Sequence, residues 1–170
     1  MKKVLVFVLL SAVVSCIKQT PHPPVGGILS KEDLNISKNR SKLLNEMEIK
    51  QIQDWIQNQK QSFYPMGLNY WTNVALLSQR AKKQDGEIVS YQYDVYDFDG
   101  TKMYEKPVEK QSVFLGKFEE LRAVEDAVRY LEQGEEATLL VPSVLGFGTY
   151  GDGDKISNDM PLIIKLKILN

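Results

Sequence analysis

Leu121, Val124, Val128 and Leu131 recur at i, i+3, i+7 and i+10, which predicts a short helix over residues 119–132 with a single apolar stripe. A lone stripe of that kind needs one apolar face to cover it, and the surrounding segments offer strands rather than further helices. Val89, Tyr91, Tyr93 and Val95 alternate with Ser90, Gln92 and Asp94, as a half-buried strand requires. Residues 137–141 and 162–169 read as two more strands, and residues 68–77 are aromatic and apolar enough for another. Asp85-Gly86 and Asp99-Gly100 are turn signals, and Gly134 supplies a stop for the helix. A Gly- and Asp-rich loop, residues 142–161, separates the last two strands. The expected class is therefore α+β, an antiparallel β-sheet wrapped on one short α-helix. With 43% hydrophobic residues in a chain of 170, there is material for one such domain plus appendages.

The appendages lie upstream. Residues 30–61 turn helical, with Leu43, Leu44, Met47, Ile52, Trp55 and Ile56 mostly three or four positions apart. Asn39 or Ser41 is a candidate cap for the start, and Pro65 and Gly67 close the segment. This extra N-terminal helix either packs its stripe on the domain or serves a partner, as a homo-oligomer contact or a contact to another envelope protein. Residues 17–29 are proline- and glycine-containing with no hydrophobic period, which suits a tether. The first residues read as a targeting signal: Lys2 and Lys3, an apolar run over residues 4–10, then Val13-Val14-Ser15-Cys16. That apolar run is too short to span a bilayer. The string ending at Cys16 looks like a bacterial lipobox, in which the cysteine is acylated and the preceding bond cut. The expected division is a signal peptide over residues 1–15, a lipidated tether over 16–29, a helical extension over 30–66 and the main domain over 67–170. Such a chain sits in the bacterial cell envelope, held to a membrane by lipid and facing the periplasm.

Several function classes are disfavoured. A formal net charge of −1 gives no grip on nucleic acid, and removing Lys2 and Lys3 takes it to −3. One cysteine cannot build a disulfide framework, and the one histidine, His22, lies among Pro21, Pro23 and Pro24. Asp152, Asp154 and Asp159 lack the spacing of a calcium loop and suit turn geometry instead. Neither a metal nor a cofactor is expected.

Residues 86–169 carry a series of pieces in a recognisable order. They are Tyr93 on its strand, Asp99-Gly100-Thr101, Phe114-Leu115-Gly116, the helix, Gln133-Gly134-Glu135, the run from Leu140 through Pro142 and Phe147 to Gly148, and Pro161-Leu162-Ile163-Ile164. In this the chain resembles the FKBP-type peptidyl-prolyl cis-trans isomerases. It is similar in particular to gliding-motility-associated FKBP-type lipoproteins of the Bacteroidetes, which share a lipobox, a charged N-terminal helix, an aromatic stretch like Tyr70-Trp71 and a loop like Tyr150-Gly151-Asp152.

The resemblance implies an FKBP-like fold and rotation about prolyl amides of proline-containing, unfolded or extended polypeptides. That reaction breaks no bond. Its barrier of about 20 kcal/mol falls when a dry pocket binds the twisted amide better than the planar one. The family's pocket maps onto Tyr93, Met103, Tyr104, Glu120, Leu121, Val124, Phe147 and Ile164. Tyr93 and Leu121 keep the family's residue character, and Phe147 keeps a ring but not the hydroxyl. Met103 and Ile164 replace phenylalanines, Tyr104 an aspartate, Glu120 a valine and Val124 a tryptophan. These departures imply weaker catalysis and poor binding of macrolide inhibitors. They leave open a second expectation, a catalytically weak chaperone or scaffold for gliding or secretion machinery.

Overall fold

The computed structural model describes residues 30–117 and 121–169. The chain divides into two compact units, one ending at Ser37 and the other spanning Lys38–Asn170. Cys16, the tether and Glu120 lie outside the described residues.

Helix α1 spans Lys31–Gln57. Its start is a reciprocal cap: Ser30 Oγ accepts the Asp33 N–H at 3.1 Å, and Asp33 Oδ2 accepts the Ser30 N–H at 3.3 Å. The helix thus begins well before Asn39 and Ser41, because Ser30 and the acid three residues on already satisfy the free N–H groups. Its end comes at Gln57, ahead of Pro65, where Asn58 Nδ2 and Gln59 Nε2 cover the carbonyls of Asp54 and Trp55 at 2.8 and 3.4 Å.

Six strands follow: β1 (Tyr64–Pro65), β2 (Trp71–Thr72), β3 (Ile88–Tyr96), β4 (Val108–Phe114), β5 (Glu136–Val141) and β6 (Leu162–Ile168). They form one antiparallel sheet in the order β1-β2-β5-β6-β3-β4. The α+β expectation holds, with one correction to the strands. Only Trp71 and Thr72 pair with β5 in the stretch expected to be extended from 68 to 77. Asn69 and Leu76 take left-handed φ values of 64° and 57°, which end extended backbone on both sides. On β4 an extra residue makes a bulge, where Ser112 has φ 52° and donates its N–H to Ser90 Oγ at 3.0 Å.

Helix α2 is Arg122–Val128, shorter than its stripe suggests. Beyond Val128 the chain tightens: the Tyr130 N–H reaches the Ala127 carbonyl at 3.1 Å, and the Lys83 ammonium donates to the carbonyls of Val128 and Leu131. Leu131 therefore stays fully buried although it is no longer α-helical.

Register assigns the two faces. Tyr93 lies opposite Leu166, and Leu166 opposite Ala137, while Val95, Ile164 and Leu139 make the next row. These residues and the stripe of α2 form the main core. On the other face, Ile163 and Leu140 pack with Ile52, Trp55, Ile56, Phe63, Trp71, Tyr96 and Phe98 into a second cluster. The sheet is thus a middle layer, with α2 on one face and the C-terminal half of α1 on the other.

Candidate active site

Alternation on β3 sends Tyr93 to the α2 side, where it is buried with its ring stacked at 6.4 Å on Tyr91. Ile164 on β6 and Val124 on α2 are fully buried in the same cluster, and Leu121 sits just before the first turn of α2. Four of the expected pocket residues therefore meet, although they come from three separate elements. Met103, Tyr104 and Phe147 are half-buried and pack against that cluster from its edge.

Local hydrogen bonds explain how the three edge residues get there. After β3, Asp97 Oδ1 accepts the N–H groups of Asp99 and Thr101 at 3.0 and 2.7 Å, which folds the chain back. The Met103 N–H then donates to the Val95 carbonyl at 2.8 Å. Phe147 follows the 3-10 turn Ser143–Leu145 and immediately precedes the 3-10 turn Gly148–Tyr150.

Tyr104 is held by a partner that the sequence did not single out for this role. Its hydroxyl donates to Asp152 Oδ2 at 2.6 Å. Asp152 Oδ1 accepts the N–H groups of Asp154, Lys155 and Ile156 at 2.9, 3.0 and 2.8 Å. Burial by itself pushes the Asp152 carboxyl up, but the Tyr104 hydroxyl and the three backbone donors outweigh it and pull the group down to about 2. For Tyr104, burial comes first and the Asp152 carboxylate second, and both raise its phenol. Both oxygens of Asp152 are therefore engaged within the fold, in line with the turn role expected for it. The aspartates at 152 and 154 gave the only hint of this latch in the sequence.

Two further acidic groups escaped the sequence reading because nothing in their spacing marks them. Asp126 on α2 is buried and accepts from the Tyr70 hydroxyl at 3.1 Å and the Lys82 ammonium at 3.0 Å. Glu48 on α1 is only 4% exposed, and its carboxylate takes the Ser143 N–H and hydroxyl at 2.7 Å each. It also borders a hollow of about 300 Å³ whose walls include Leu44, Leu68, Val144 and Thr149.

This apolar nest is closely packed, with Tyr93, Leu121, Val124 and Ile164 each at most 8% exposed. Residues 79–169 match the family model described as FKBP-type peptidyl-prolyl cis-trans isomerase. The chain belongs to that family. As an FKBP-type isomerase its task is amide rotation, which fits a site made of side-chain walls.

Solved structures agree on the fold of this FKBP-type chain. A peptidyl-prolyl cis-trans isomerase from Pseudomonas syringae pv. tomato superposes with a TM-score of 0.54 at 18% identity, covering 74% of this chain and 94% of that one. FkpA from Escherichia coli superposes with a TM-score of 0.55 at 14% identity, covering 100% of this chain and 81% of that one. The second comparison takes in α1 as well as the domain. No curated protein matches the chain by sequence.

Proposed function

We propose that this FKBP-type isomerase binds prolyl segments of exported polypeptides in the nest of Tyr93, Leu121, Val124 and Ile164, with Met103, Tyr104 and Phe147 at its rim and Glu120 beside Leu121. The observation that carries the reading is that Tyr93, Leu121, Val124 and Ile164 share one apolar cluster with Met103, Tyr104 and Phe147 packed against it, although 71 positions separate Tyr93 from Ile164. A binding wall drawn from β3, β6 and α2 favours the twisted amide by desolvating it, since planar amide resonance is what water supports. Acylation at Cys16, read from the lipobox-like string, would hold the enzyme at an envelope membrane facing the periplasm. The similarity to gliding-associated lipoproteins rests on the sequence segments alone and extends the proposal to clients of a gliding or secretion apparatus.

The test is a protease-coupled assay on short peptides containing an Xaa-Pro bond. The full chain is expected to accelerate isomerisation in proportion to its concentration, and absence of acceleration at high concentration overturns the isomerase reading. Incorporation of labelled palmitate into the chain, lost in Cys16→Ala, tests the anchor.

A second reading has its own support: the Tyr104 hydroxyl is already bound to Asp152, and aliphatic side chains stand where the family has rings. That arrangement favours a slow catalyst whose main work is to hold unfolded clients. It predicts slower aggregation of an unfolded client with little acceleration in the peptide assay.

A further inference from the structure

The loop that carries Phe147 runs between β5 and β6, and α1 holds it at two points. Near its start, Ser143 gives both its N–H and its hydroxyl to the Glu48 carboxylate. Near its end, Asp159 Oδ2 meets Arg40 Nη2 at 3.2 Å. The Asp159 N–H also donates to the Gly148 carbonyl at 3.0 Å, so the second hold passes directly to the residue after Phe147. Arg40 and Glu48 are eight positions apart on α1, about 12 Å along the axis, so the helix acts as a rigid bar fixing both ends of one loop.

The Glu48 contact is an unusual choice for stability alone. A buried carboxylate is costly to desolvate, and an apolar residue of similar size often serves a core as well or better. What a carboxylate supplies is direction, since two short hydrogen bonds to one residue fix its orientation as well as its distance. The 3-10 turn starting at Ser143 has no side-chain cap of its own from Pro142, so its first N–H depends on Glu48. Both helix residues lie outside the 79–169 segment that matches the family model.

We propose that Glu48 is a positioning residue for isomerisation, with Arg40 as its weaker companion: α1 sets the place of Phe147 at the pocket rim by fixing the loop through Ser143 and Asp159. The inference rests on the isomerase reading of the nest and adds a control element from outside the segment that matches the family model.

In the full chain, Glu48→Ala is expected to lower kcat/KM for Xaa-Pro peptides about tenfold, equivalent to about 1.4 kcal/mol. Amide hydrogen exchange over residues 144–151 should quicken while β3 and β6 keep the parent rates. Glu48→Gln retains an acceptor for the Ser143 N–H and an amide facing its hydroxyl, so it should return activity to within about threefold of the parent. The Arg40 side chain is 71% exposed, so Arg40→Ala does not threaten folding; it should cost about two- to fourfold in kcat/KM and quicken exchange near residue 159. Parent-like kcat/KM and loop exchange in Glu48→Ala overturn the proposal. Should that variant not fold, the same result in Arg40→Ala overturns it. If the parent itself shows no isomerase activity, the isomerase reading fails. Exchange then decides the clamp separately, with quicker loop exchange in Glu48→Ala supporting it and unchanged exchange overturning it.

Discussion

Asp152 keeps both carboxylate oxygens inside the fold, and that fixes how the rim responds to acid. Its folded value of about 2 lies below the ordinary 3.8, so it contributes stability that is fully present above about pH 4 and lost as pH falls through 2. Tyr104→Phe removes the hydroxyl donor and leaves the three backbone donors. The Asp152 carboxyl should then titrate closer to 3.8, and the acid-induced loosening should begin at higher pH. Carboxyl-carbon NMR titration of parent and variant checks this, and identical midpoints would exclude the latch. Such pairs were out of reach of the sequence, because 48 residues separate Tyr104 from Asp152. Tyr93 was legible from its own neighbours, since alternation on one strand decides its face. Glu48 was not: it lies among Asn45, Glu46, Met47 and Lys50, and nothing local distinguishes it from a solvated helix position.

Helix α2 and strand β3 were legible because each carries its own period and buries the side that the period indicates, whereas β5 and β6 were legible as short apolar runs buried on both faces. The stretch from 68 to 77 was not, since its composition favours a strand while the left-handed turns at Asn69 and Leu76 allow only two paired residues. For α1 the apolar positions were visible but not their fate: Ile52 is buried, whereas Leu43 and Met47 are 60% and 61% exposed. Among the loops, the 142–161 connection has one position where the backbone tolerates no side chain. Gly151 has φ +64°, and a Cβ there would lie 2.0 Å from the Ile156 carbonyl oxygen. Gly151→Ala must open the hydrogen-bonded turn around Asp152, at a cost of about 1–3 kcal/mol for the strained backbone. A lower urea midpoint with an unchanged m-value is the expected result, and an unshifted midpoint would show that the turn is not held in this form.

For the molecule as a whole, the sheet has two unlike packing faces, and α1 belongs to the one away from the nest. Trp55 makes edge contacts with Phe63 at 5.7 Å and Phe98 at 5.5 Å, and with Ile52 it covers Leu140 and Ile163. Trp55→Ala should therefore destabilise the fold by about 2–3 kcal/mol, at the lower end for a large-to-small change because the ring is only half-buried. In the fraction that remains folded, kcat/KM should stay near the parent value, since this aromatic cluster lies across the sheet from Tyr93 and Val124. Chemical denaturation and the peptide assay on the same preparation separate the two effects, and a large loss of kcat/KM without loss of stability would contradict the division of faces.

Strands β1 and β2 bear on how far the segment 79–169 that matches the family model is a transplantable part. Severed at residue 79, β5 would lose the rung supplied by Trp71 and Thr72 and present bare amides along its flank. The greasy strip of Leu140, Ile163 and Tyr96 would be stripped of its roof at the same stroke. Grafted elsewhere, that fragment would be a sticky half-structure, so β1, β2 and the C-terminal half of α1 belong to the same folding unit as the isomerase body.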